Sequence, residues 1–144
     1  MKLGVTGSRD GLTPEQDAAT TKLLQRLLPE VTELHHGDCV GSDRWFHNRA
    51  LDKYIVIHPP SAPRWRAFCR APNMYVHTPA PYLTRNRAIV DQSERIIATP
   101  SHDEDAPESK RSGTWQTIRY AVRCKRPIWI VMPDGEIVPH WMPE

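Results

Sequence analysis

Lys2-Leu3-Gly4-Val5-Thr6-Gly7-Ser8-Arg9 begins as an apolar run and stops at a Gly-Ser turn. A run that does not alternate polar with apolar residues reads as a strand covered on both faces, the kind that parallel sheets contain. Thr13-Pro14-Glu15-Gln16 then opens a helix. Thr13 can cap it, Pro14 suits the first helical position, and Gln16 completes a capping box. Ala19, Leu23, Leu24, Leu27 and Leu28 follow at helical spacing, and Pro29 marks the end.

The same alternation continues along the chain. Strands are expected at 33–36, 54–58, 95–99 and 127–132, with helices from Ser42 or Asp43 to about Leu51, over 82–93 and over 112–123. Strand and helix in turn predict an α/β chain: a single three-layer Rossmann-like domain over 1–144, with a mainly parallel five-stranded sheet. Trp45, Trp115 and Trp129 read as core. The stretch 59–80 breaks the pattern. It holds Pro59, Pro60, Pro63, Pro72 and Pro79 of the chain's 14 prolines, together with Arg64, Trp65, Arg66, Phe68 and Arg70. Proline makes it stiff without making it helical, so it is expected to be an irregular insertion. Long connections of that kind serve as lids or binding loops, or here as a contact within a homodimer or higher homo-oligomer.

A net charge of +2 with 25% charged residues argues against a protein that coats nucleic acid, which would carry a strong basic excess. No run approaches the ~18 apolar residues of a membrane span. Three cysteines (Cys39, Cys69 and Cys124) lack a paired C-x-x-C spacing, which suits a reducing compartment. A soluble cytoplasmic protein with no membrane partner is expected. His35-His36 beside Asp38 and Cys39 has the composition of a metal cluster. Neighbouring strand residues point to opposite faces, however, so no metal and no other cofactor is expected.

In a parallel sheet, ligands bind outside the carboxyl ends of the strands, where the strand order reverses. Those ends carry Gly7-Ser8-Arg9, Gly37-Asp38, His58-Pro59 and Thr99-Pro100, and a helix starts at Ser112-Gly113-Thr114. Glycine lets backbone approach a ligand, and a Ser-Gly-Thr helix start offers free N–H groups and the positive dipole end to an anion. Arg9, Arg85 and Arg111 could add contacts to a phosphate.

Gly4-Val5-Thr6-Gly7-Ser8-Arg9, His35-His36-Gly37-Asp38-Cys39, Gly41-Ser42-Asp43, Tyr82-Leu83-Thr84-Arg85-Asn86-Arg87 and Arg111-Ser112-Gly113-Thr114-Trp115 together resemble the SLOG superfamily. That group includes DNA-processing protein A, the Lonely Guy cytokinin-activating enzymes and the small YspA-like proteins of bacteria and phages. The resemblance runs from Leu3 to Gly135 and is nearest to the small stand-alone branch. It implies a Rossmann-like fold that binds nucleotides or nucleotide-derived signals. It also implies that Arg85 is the counterpart of the Lonely Guy arginine. The position of that branch's catalytic glutamate is Thr117 here, which cannot act as acid, base or ionic stabiliser.

The leading expectation is a module that senses or sequesters a nucleotide-like small molecule. Its contacts are expected from Gly7, Ser8, Arg9, Gly37, Asp38, Arg85, Asn86, Ser112, Gly113 and Thr114. The rival is an enzyme that cleaves or transfers an N-glycosidic bond of a nucleotide or deoxynucleoside. Such a reaction builds positive charge on the sugar and needs a carboxylate, for which Asp38, Asp43 and Asp91 are the candidates, Asp38 and Asp43 leading, with Glu108 a distant fourth. A third reading, single-stranded nucleic-acid binding, rests on the interleaved arginines and aromatics at 64–70. The near-neutral charge opposes it.

Overall fold

A computed structural model describes residues 1–143 of the chain. Seven strands form one sheet: β1 (Lys2–Gly7), β2 (Glu33–His36), β3 (Tyr54–Ile57), β4 (Met74–Val76), β5 (Arg95–Thr99), β6 (Ile128–Val131) and β7 (Ile137–His140). Their order is β4-β3-β2-β1-β5-β6-β7. The first six strands are parallel and β7 runs antiparallel to β6. The expected α/β class therefore holds, but the sheet has seven strands where five were expected.

The two additional strands have different physical origins. Pro133-Asp134-Gly135 makes a tight turn in which the Met132 N–H donates to the Glu136 carbonyl at 2.8 Å, and β7 folds back along β6. Proline, aspartate and glycine in that order are a turn signal that the sequence reading passed over. β4 lies inside the insertion, which is thus not irregular throughout. The insertion's ends are bridged through Pro60 and Ala80, and Met74, Tyr75 and Val76 pair with Ile55, Val56 and Ile57. Three residues among prolines carry no period of their own, so only the partner strand makes them a strand.

Four helices cover the sheet: α1 (Pro14–Leu27), α2 (Ser42–Arg49), α3 (Tyr82–Gln92) and α4 (Gly113–Arg123). Leu23, Leu24 and Leu27 of α1 and Phe46 of α2 bury against Leu3, Val5, Leu34, Ile55, Ile57 and Ile97 on one face. Val90 of α3 and Trp115, Ile118 and Ala121 of α4 bury against Ile96, Ala98, Ile128 and Ile130 on the other. Ile96 and Ile97 fall on different faces because a strand's side chains alternate. Trp115 is fully buried, whereas Trp45 and Trp129 are half-buried against the first cluster. The acidic loop after β5 tightens into a 3-10 turn at Pro107–Arg111.

The capping box at α1 is present in full, with the Thr13 N–H donating to Gln16 Oε1 at 2.9 Å and the Gln16 N–H to Thr13 Oγ1 at 3.0 Å. The buried Gln16 amide also donates to the carbonyls of Pro100 (2.6 Å) and Val131 (3.0 Å). One side chain thus starts a helix and ties the carboxyl ends of β5 and β6 together.

Candidate functional site

The strand order reverses between β1 and β5, because β2, β3 and β4 extend one way from β1 and β5 and β6 the other. The carboxyl edge at Gly7 and Thr99 is therefore the ligand position that the topology selects. Four helix N-termini face this edge, and they are not equivalent.

The start of α2 is closed by the chain itself. The Ser42 N–H donates to the Ser8 carbonyl at 2.9 Å, and the Ser42 hydroxyl accepts from Thr99 Oγ1 at 3.0 Å. Gly41 holds a φ of +87°, and a Cβ there would stand 2.5 Å from the backbone of Ser8 and Arg9. Gly7 is crowded likewise by Thr99 and Ser42. These glycines bring backbone against backbone, leaving no room for a phosphate at α2.

Gly37 is covered by Arg85. That guanidinium is 6% exposed and donates to the carbonyls of Gly37 and His58, to Asn86 Oδ1 and to the Cys39 sulfur. It joins the carboxyl ends of β2 and β3, its donors turned inward. Asp43 is buried beneath it, accepting from the Gly37 and Cys39 N–H groups at 3.2 Å each. Burial pushes the Asp43 carboxyl up to about 6, against the pull of Arg85 and the two N–H groups.

Asp38 is fully buried with a φ of +59°. Its Oδ2 accepts from Arg66 Nε at 2.7 Å and its Oδ1 from the Cys69 N–H at 2.8 Å, while its carbonyl accepts from the Ala67 N–H at 2.7 Å. All three partners belong to the insertion. Trp65 of the same segment lies between two guanidiniums, Arg9 at 4.6 Å and Arg64 at 4.8 Å from its ring centre. The insertion thus reaches over the loop that follows β1.

His36 and His35 point to opposite faces. His36 faces α2, where one ring nitrogen each of His36 and His47 and the Cys69 sulfur lie within 4.8 Å of one another. Two imidazoles and a thiol are soft donors that suit a transition metal, but the hydrogen bonds of these residues define another arrangement. The Asp38 N–H donates to His36 Nδ1 at 2.9 Å, so the neutral ring carries its proton on Nε2. That proton is given to His47 Nδ1 at 3.0 Å, and His47 Nε2–H donates to the Arg70 carbonyl at 2.6 Å. Burial, with Asp38 beside it, pushes the Cys69 thiol up to about 12, which disfavours the thiolate that a metal needs. The cluster is a satisfied chain linking β2, α2 and the insertion.

The starts of α3 and α4 differ from that of α2. Pro81 gives α3 no side-chain cap, and Ser112 caps α4 by accepting from the Trp115 N–H at 3.2 Å. A Cβ on Gly113 would meet nothing closer than Asn86 Nδ2 at 3.9 Å. Thr114 is buried and the Thr117 hydroxyl donates to the Gly113 carbonyl at 2.8 Å. A groove of about 280 Å³ lies between α3 and α4, lined by Asn86, Arg87, Thr117, Arg119, Tyr120 and Arg123. Arg87 and Arg123 approach the Tyr120 ring at 5.0 and 5.9 Å, and the Tyr120 hydroxyl donates to Asp91 at 2.7 Å. Among the described residues no carboxylate lies within 4.0 Å of these three guanidiniums.

The structure therefore brings Asn86, Ser112, Gly113 and Thr114 together, and separately packs Gly37, Asp38, Asp43 and Arg85 inside the edge. Arg87, Arg119 and Arg123 were absent from the sequence expectation. The three-to-four-residue spacing of Arg119 and Arg123 signals one helix face, but that it meets Arg87 depends on how α3 and α4 pack.

No family model and no curated protein sequence matches the chain. Among solved structures it is similar to the molybdenum cofactor binding protein from the phototrophic bacterium Rippkaea orientalis, with a TM-score of 0.62. The match covers 91% of this chain and 76% of that one at 20% identity. What they share is the fold. No helix among the described residues is long and apolar enough to cross a membrane.

Proposed function

We propose that this protein binds an anionic, nucleotide-derived small molecule at the carboxyl edge of the sheet. The phosphate sits at the first turns of α3 and α4, against Asn86, Ser112 and Gly113, and the rest of the ligand lies toward the groove. The observation that carries the reading is the groove itself: three arginines without acidic partners among the described residues line it together with Asn86, whose amide nitrogen lies 3.9 Å from where a Cβ on Gly113 would stand. The free N–H groups and the helix dipole there favour negative charge. The fold likeness to a protein described as binding a molybdenum cofactor supports a small-molecule ligand of this general kind.

Binding without cleavage is favoured because the two leading carboxylate candidates for a cleaving enzyme are occupied. Asp38 holds the insertion with both oxygens, and Asp43 holds the Gly37–Cys39 turn. Titration calorimetry with nucleoside mono- and diphosphates tests the proposal. Gly113→Val has space for its side chain, so the variant should fold normally and bind at least ten-fold more weakly, the loss of about one charge-assisted contact. Unchanged affinity in the folded variant would refute the site. Release of free base that disappears in Asp38→Asn would replace binding with the glycosidic reaction.

A further inference from the structure

A second concavity, larger than the α3–α4 groove, lies at the β4 edge, three strands from β1 and so roughly 14 Å from the reversal point. It measures about 600 Å³ and is lined by Arg66, Phe68, Cys69, Arg70, Met74 and Val76. Phe68 stands at its rim with a φ of +54° and 60% of its surface exposed. A bulky residue in the left-handed region is an outlier, and a phenyl ring in water gives up the burial that its size favours. Both departures have the same cause. The neighbours of Phe68 are pinned, Ala67 by its N–H to the Asp38 carbonyl and Cys69 by its N–H to the Asp38 carboxylate. Asp38 in turn is fixed by Arg66 and by the hydrogen bond from its own N–H to His36. A buried aspartate therefore holds the tip of the insertion in a conformation that turns an aromatic ring outward.

The charge around the ring is positive. The Arg66 guanidinium lies 4.5 Å from the Phe68 ring centre, and Arg70 lines the same cavity with no carboxylate within 4.0 Å among the described residues. Arg44, on the exposed side of α2, is near enough for its charge to act on the Cys69 thiol. The nearest acid, Asp38, has both oxygens engaged on the inner side. The exposed Phe68 ring beside the Arg70 guanidinium, which has no acidic partner among the described residues, fits a planar heterocycle that carries phosphate, the ring stacking on Phe68 and the phosphate meeting Arg70. We infer that the insertion forms a second binding site, for a mononucleotide or a similar phosphorylated heterocycle, with Phe68 as the stacking platform and Arg70 as the phosphate contact. This site is independent of the α3–α4 groove.

AMP, with ribose 5-phosphate as the ligand lacking a base, is the probe, read by amide chemical-shift mapping and titration calorimetry. Phe68→Gly is the informative variant, because glycine accepts the left-handed backbone and keeps the Asp38 clamp while removing the ring. AMP should shift the amides of residues 66–76, and Phe68→Gly and Arg70→Ala should each weaken it about ten-fold. Ribose 5-phosphate should bind more weakly and ignore Phe68→Gly. The inference is overturned if AMP shifts only the amides of Asn86, Arg87 and residues 112–123, a result that would leave the groove reading intact. It is also overturned if AMP at millimolar concentration leaves 66–76 unmoved. A sedimentation change in Phe68→Gly with AMP affinity unaltered would overturn it too, making the ring a subunit contact.

Discussion

Arg85 occupies the first turn of α3, where the helix dipole disfavours a cation, and the structure supplies the compensation. Two strand-end carbonyls, an amide oxygen and the field of buried Asp43 surround the guanidinium. Removing it leaves the carbonyls of Gly37 and His58 unpaired and a buried carboxyl without its cation. Arg85→Ala should therefore lose about 3 kcal/mol of stability, as other broken buried pairs do, measured as a fall in the urea midpoint. Arg85→Lys should recover only part, because an ammonium cannot reach three acceptors from one planar fork. An unchanged midpoint in Arg85→Ala would mean that the guanidinium is free for a ligand, the role the family resemblance gives it. From sequence, a helical arginine near glycines reads equally well as ligand contact or as strand-end clasp. Only the position of Gly37 under the guanidinium separates the two.

At the scale of elements, the insertion is where sequence and structure part furthest. The four α-helices and five of the seven strands follow from periodicity, caps and proline stops, all of them local signals. β4 becomes a strand only because β3 offers it an edge, and the segment at 66–69 takes its shape from Asp38, about 30 residues away. The composition of 59–80 announced arginines and aromatics without saying that Trp65 would turn toward Arg9 and Phe68 toward water. The Asp38 clamp gives this element a handle. Asp38→Asn retains one acceptor for the Cys69 N–H but sets an amide N–H₂ against Arg66, breaking a charge-assisted bond of about 2 kcal/mol. Amide exchange should then quicken across 66–70 while β1 and β5 stay protected. Uniform exchange in the variant and the parent chain would show that the insertion is held by its packing alone.

Across the whole molecule, five histidines join β2 and the end of β3 to α2 and to the insertion. His35 Nδ1 meets His58 Nε2 at 3.0 Å, the His58 ring stacks on His77 at 4.5 Å, and His36 and His47 form the chain to Arg70. Burial is the main reason that His36 and His58 are each pushed down to about 3, with neighbouring imidazoles adding to it. Burial also lowers His35, opposed in part by Glu33. In the unfolded chain these rings titrate near 6.5, so between that pH and about 3 the unfolded state binds more protons and stability falls as pH falls. Asp43 works the other way. Raised to about 6, it binds a proton in the folded state before the unfolded chain does, so acid favours folding through it between about 6 and the ordinary carboxylate range. Two strongly lowered histidines against one raised aspartate leave an excess of about one proton on the unfolded side. That excess lowers stability by on the order of 1 kcal/mol per pH unit between pH 6 and 4. The urea midpoint should be flat above pH 7 and decline steadily through that window. The insertion should loosen first, because the chain from His36 ends on the Arg70 carbonyl and the His58 ring stacks on His77, both within it. A midpoint that holds or rises between pH 6 and 4 would show that Asp43 outweighs the histidines and that the imidazole chains tolerate protonation.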